Sequence, residues 1–138
     1  MLDPAPESSG RAGALSATLS SPAPDVRLLT VAGEVDTLTA PRLAEGLTGL
    51  LDDERGTPVV DLADVSFLAS SGLAVLIRAA HRATGQGRPL HLVATSRAVT
   101  RPLEITGSDR LFEMHGGLEE VLSGVAGGGS GPVPGGAD

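Results

Sequence analysis

The 138-residue chain contains no cysteine, no tryptophan and no tyrosine. Without cysteine, disulfides, thiolate metal sites and thiol nucleophiles are excluded. Phe67 and Phe112 are its only Phe, Tyr or Trp residues, so there is no platform on which bases or sugars could stack. Lysine is missing too: all ten basic residues are arginine, against 17 acidic ones, for a formal net charge of -7. With no basic stripe to release counterions from phosphates, nucleic acid is excluded as a partner class. No polybasic segment offers itself to an anionic membrane surface, whereas a basic protein surface would be steered toward such a chain. His81, His91 and His115 stand far apart in sequence, a spacing that argues against a metal site. No stretch approaches the roughly 20 apolar residues of a membrane span. The opening MLDPAPESSG has acids and prolines where a signal peptide needs positive charge and an apolar run. A cytoplasmic protein is the expectation. The bias toward Ala, Gly, Pro and Arg, with no Lys or Asn, fits a GC-rich genome.

What is present is organised around one domain. Residues 1–12 are rich in Pro, Ser and Gly and are expected to be disordered; residues 124–138, Gly/Pro-rich, are expected to form a flexible tail. The folded unit is expected at 13–123. Leu15, Ala17 and Leu19 alternate with Ser16, Thr18 and Ser20, the period of a half-buried strand. VRLLTVAG (26–33) is a more apolar strand, close enough to pair antiparallel with the first. Thr39 is expected to cap a helix with Pro41 in its first turn and Leu43, Leu47 and Leu50 on its inner face. PVVDL (58–62) follows as a strand. A second helix, capped by Ser70 or Ser71, turns Leu73, Leu76, Ile77 and Ala80 inward and ends at Gly85 and Gly87. LHLVA (90–94) is a strand. Ser96 caps a third helix that packs through Val99, Leu103 and Ile105 and is kinked or shortened by Pro102. LFEMH (111–115) and GLEEVL (117–122) complete the chain as strand and helix. The order β-β-α-β-α-β-α-β-α predicts an α/β fold: a mixed, largely parallel sheet of four to five strands with helices mainly on one face.

The chemistry concentrates in VVDLADVSFLASSGLAVLIRAA, residues 59–80. Serine before an apolar helix is a common N-cap, worth about 1 kcal/mol. A strand, a turn, a serine and a helix also outline a nucleophile elbow, with Asp109 and His115 in triad order. The elbow wants glycine two residues on either side of the nucleophile. Around Ser71 those places hold Ala69 and Leu73, and around Ser70 they hold Leu68 and Gly72. Neither register fits. A third reading is a phosphoacceptor, since the free N–H groups and dipole of a helix start favour negative charge. Glu34 and Asp36 form an acidic turn after the second strand, and Asp52, Asp53 and Glu54 are expected at a solvated helix end. Gly85-Gln86-Gly87 is too short and misplaced for a nucleotide fingerprint. Arg97 and Arg101 are expected on a solvated helix face.

Three stretches together resemble the STAS domain, the family of anti-sigma factor antagonists in bacterial partner-switching systems. They are VAGEVDTLTAPRL (31–43), VVDLADVSFLASSGLAVL (59–76) and LHLVATSRAVTRPLEITGSDRLFEM (90–114). The resemblance implies the STAS-like fold and a protein that is not an enzyme. It also implies partner switching, in which the unmodified chain binds an anti-sigma factor with serine kinase activity and frees a sigma factor. The kinase would bring the ATP, so no cofactor is expected in this chain, and a serine phosphatase would reverse the modification. Ser71 maps onto the family's phosphoacceptor, with Ser70 as the alternative. The partner-binding surface maps onto Gly33, Glu34, Val35, Asp36, Ser70 and Gly72. Many phosphorylated members carry aspartate before the two serines, where this chain has Ala69. Two other readings are a STAS scaffold in a transporter or sensory assembly, never phosphorylated, and a small serine hydrolase.

Overall fold

A computed structural model describes residues 15–128. The terminal segment expected at 1–12 and the end of the expected tail, 129–138, lie outside the described residues. Five strands, β1 (Leu15–Ala23), β2 (Val26–Val35), β3 (Thr57–Leu68), β4 (His91–Val93) and β5 (Glu113–His115), form one sheet in sequence order. β1 and β2 are an antiparallel hairpin, and every later pairing is parallel. The helices are α1 (Ala40–Asp52), α2 (Ser70–Gly85), α3 (Arg97–Thr106) and α4 (Leu118–Gly128). The boundary expected at 123 therefore falls inside α4.

Burial explains the layering. Leu29, Val31 and Val35 of β2, Val60 and Leu62 of β3 and Leu92 of β4 turn to one face of the sheet. There they meet Leu43, Leu47 and Leu50 of α1, Leu73, Leu76 and Ala80 of α2, and Val99 and Leu103 of α3. On the opposite face Val26, Leu28, Val59 and Val93 form a smaller cluster with Leu118, Val121 and Leu122 of α4. Three helices cover one face and the fourth seals part of the other, as a side-chain period of two requires.

Several local expectations change. β3 is far longer than residues 58–62, because the polar-looking DVSFL continues in extended form against β2. Two bulges shift its register, and between Leu62 and Leu68 every third residue is buried instead of every second. Residues 111–112 do not open the last strand: Ser108–Leu111 is a 3-10 turn and Phe112 is a core residue. Ile105 is 70% exposed and does not pack. Ser96 caps α3 as expected, accepting from the Ala98 N–H at 3.1 Å, and Pro102 sits inside that ten-residue helix. The end of α1 is more than solvated charge. Asp53 pairs with Arg27 and Arg55 at 3.1 Å and Asp52 with Arg82 at 2.6 Å. The Arg55 hydrogen bonds hold the Asp53 carboxyl down to about 2.

Candidate functional site

The site is the end of the sheet where β2 and β3 stop and α2 begins. Ala69, not a serine, is the N-cap residue of α2, and no side-chain oxygen caps that helix. Ser70 and Ser71 are instead its first two residues. The expected serine cap fails because the Ala69 N–H is drawn back to the Val35 carbonyl at 2.8 Å. That bond places Ala69 at the turn and moves both serines into the first helical turn. The helix start therefore keeps its free N–H groups and its positive dipole end. Ser70 is exposed. The Oγ of Ser71 points inward, is buried and has no hydrogen-bond partner among the described residues.

Gly72 explains how the helix start can lie so near β2. A methyl group on it would overlap Val35 Cγ1 and lie 2.9 Å from Leu68 Cδ1. Val35 is fully buried and Gly72 is buried. Of the six residues that the resemblance mapped to a partner surface, these two lie inside the fold. Gly33 is partly exposed at φ 116°, a conformation that disfavours any side chain, and adjoins the second bulge of β3.

The acidic turn divides into two roles. Glu34 is exposed, and its register partner on β3 is Phe67. Asp36 is largely occupied at home: its Oδ1 accepts from the N–H groups of Leu38 (2.9 Å) and Thr39 (3.0 Å). Those bonds, the Thr39 amide first, keep its carboxyl below the usual range. Thr39 stands at the N-cap position of α1 but does not cap it. Its hydroxyl donates to the Glu34 carbonyl at 2.8 Å and accepts from the Asp36 N–H at 2.9 Å. Asp36 and Thr39 thus lock the loop that holds Glu34 at the site.

Two residues that sequence reasoning passed over belong here. Leu38 is 86% exposed in the same loop, and Phe67, one of two phenylalanines, is 49% exposed beside Glu34. Large apolar groups on a rim of carboxylates are a common composition for a protein contact. The bulge after Val65 aims Phe67 outward, so strict alternation would have put it in the core.

The hydrolase arrangement is not assembled. His115 turns its ring nitrogens elsewhere: Nε2 lies 2.9 Å from His91 Nδ1, and Nδ1 lies 3.8 Å from Glu120 of α4. Ser71 Oγ meets no base. Among the described residues no three His, Asp or Glu side chains come together to hold a metal, and no helix is long and apolar enough to cross a membrane.

A mixed five-stranded sheet with a serine pair at an uncapped helix start defines a small α/β module. A family model described as "Mlab, STAS domain" matches residues 20–116, and the chain belongs to the STAS family. The anti-sigma-F factor antagonist RsfB of Mycobacterium tuberculosis is 34% identical over 103 residues, covering 75% of this chain and 84% of that one. The anti-sigma-B factor antagonist of Staphylococcus aureus is 32% identical over 89 residues, 64% of this chain and 82% of its own. The crystal structure of an anti-sigma factor antagonist from Mycobacterium paratuberculosis superposes with a TM-score of 0.74 at 28% identity. It covers 82% of this chain and 95% of that one. The unphosphorylated form of SpoIIAA matches with a TM-score of 0.66 at 17% identity, over 81% of this chain and 97% of its own, a likeness of fold.

Proposed function

We propose that this chain is an anti-sigma factor antagonist. Its unmodified form binds an anti-sigma factor with serine kinase activity through the sheet end around Glu34, Leu38, Phe67 and Ser70, and so frees a sigma factor. The kinase supplies ATP and phosphorylates Ser71, a serine phosphatase reverses the step, and the chain itself does no chemistry and works in the cytoplasm. The observation that carries this reading is the uncapped start of α2, with an exposed serine and an unpartnered one beside exposed Phe67 and Leu38. The names of the two relatives point the same way.

Ser71 Oγ is buried, so it must turn outward before a kinase can reach it. Among the described residues its Oγ makes no hydrogen bond that this rotation would break. A phosphate there adds about -1.5 to -2 charges at a helix end that tolerates anions. The fold is kept while the contact surface turns strongly negative. The bulk of the phosphate and the cost of desolvating its charge beside exposed Phe67 and Leu38 then oppose the contact. Ser70, already exposed, is the alternative acceptor.

The test is pull-down of the partner, then mass spectrometry of Ser70 and Ser71 after incubation with it and ATP. Phosphate on Ser71, and binding about tenfold weaker for Ser71→Asp by calorimetry, are the expected results. A partner without kinase activity and no phosphate on either serine would sink the switching mechanism. The inward Ser71 Oγ and Ala69 favour a second reading, a STAS scaffold that is never phosphorylated. Ser71→Asp that binds its partner as tightly as wild type would select it.

A further inference from the structure

We propose that the outer edge of β1 is the contact between two copies of this chain, which join their sheets edge to edge about a two-fold axis at Thr18. Such a contact is independent of the function proposed above.

The two edges of the sheet are treated differently by the sequence. β5 is three residues long, begins with Glu113 and ends with His115. A short edge with charge on it resists pairing. β1 is nine residues long, LSATLSSPA, with no charged residue, in a chain where 20% of residues are charged. From Leu15 to Ser20 it keeps regular register with β2, and the irregularity falls only between Ser20 and Ala23, where Pro22 sits. Among the described residues nothing pairs with its outer side. An edge strand presents a row of unpaired N–H and C=O groups and invites another strand unless charge, proline or a bulge blunts it. None of those devices occupies residues 15–20.

Self-complementarity selects a second copy as the occupant. An antiparallel two-fold centred on Thr18 sets Thr18 opposite Thr18, Ser16 opposite Ser20, and Ala17 opposite Leu19 of the second copy. Ser16, Thr18 and Ser20 lie on the face away from α1, where hydroxyl pairs can hydrogen-bond across strands. Ala17 and Leu19 lie on the α1 side. Leu19 is 40% exposed there, beside a depression of about 290 Å³ lined by Ala17, Leu19, Leu29, Arg42, Glu45 and Gly46. The Leu19 side chain of each copy enters the depression of the other. Arg42 and Glu45, on the rim, have no ion-pair partner among the described residues. The axis brings Arg42 of each copy toward Glu45 of the other. A patch holding a knob, its hole and both signs of charge meets the requirement of an isologous interface.

Because the chain has no cysteine, a single introduced one can cross-link only to a second copy. Directly opposed residues of an antiparallel pair have Cα atoms about 4.5–5.5 Å apart, inside the range a disulfide spans. The full chain should sediment as a dimer that dissociates on dilution. Thr18→Cys should form a disulfide-linked dimer at least about tenfold faster than Ser123→Cys on α4, an exposed control, as held proximity requires. Ser16→Cys and Ser20→Cys should cross-link rapidly only when mixed. Thr18→Lys, which sets like charges face to face on an exposed position, should give a folded monomer by circular dichroism. The proposal is overturned by a wild-type monomer whose Thr18→Cys links no faster than the control. A dimer that survives Thr18→Lys, or a monomer whose β1 edge captures only strands of other proteins, overturns it equally.

Discussion

Replacing Gly72 by alanine should cost stability even though alanine is the better helix former. The added methyl group overlaps Val35 Cγ1 and comes within 2.9 Å of Leu68 Cδ1. Neither neighbour yields easily. Val35 is fully buried, β-branched and therefore stiff at χ1, and its carbonyl is held by the Ala69 N–H. Overpacking of this kind costs about 1–3 kcal/mol, and the propensity gain of alanine returns about 0.5–1 kcal/mol. The net loss is about 1–2 kcal/mol, a fall in Tm of roughly 4–10 °C for a domain of this size. With no tryptophan or tyrosine to report, urea unfolding followed by far-ultraviolet circular dichroism is the assay, with an unchanged m-value as the control. Val35→Ala alone leaves a cavity and costs about 2 kcal/mol, yet it removes the methyl that the new Cβ at position 72 would strike. The double variant should therefore be about 1–2 kcal/mol more stable than the sum of the singles. Gly72→Ala within about 0.5 kcal/mol of wild type, or strict additivity, would refute the argument.

Two further outcomes follow from the structure. His91 sits below its usual 6.5, chiefly because burial disfavours its cation and then because His115 adjoins it, against an opposing pull from Glu113. The unfolded chain therefore takes up that proton first, so this stabilisation is complete above about 6.5 and is lost as pH falls through 6.5 toward the lower folded value. Tm should decline across that window and His91→Gln should flatten the decline; a flat wild-type profile contradicts it. Phe67→Ser should leave stability within about 0.5 kcal/mol of wild type, since the ring is half exposed. The same change should weaken binding to the anti-sigma partner about tenfold, and unchanged affinity would put the contact surface elsewhere.

The element order and the three-helix face were legible because they rest on period. Leu43, Leu47 and Leu50 repeat at helical spacing, and all three are buried in the core as that spacing demands. What escaped depends on contacts between segments distant in sequence. The length of β3 could not be seen in DVSFL, because its two bulges are defined only against β2, and they exchange alternation for a burial every third residue. The outward aim of Phe67 was hidden for the same reason. The serine cap was a local inference that a long-range bond, from Ala69 to Val35, displaced by one position. Asp36 resembled a surface acid, but its carboxylate binds its own turn. Ile105 carried the hydrophobicity of a packing residue without the place for it, near the C-terminal end of a short helix that contains Pro102.

The unequal strands give the sheet a mechanical character. β4 accompanies β3 only from Val59 to Asp61, and beyond that point the strand leading to the serines has β2 as its sole strand neighbour. The molecule is thus a five-strand footing with a three-strand cantilever, and the serine pair is mounted at the far end of the beam. A load on that tip can tilt it without prising open the footing. Amide exchange that quickens from Val60 toward Leu68 would display the beam's compliance directly.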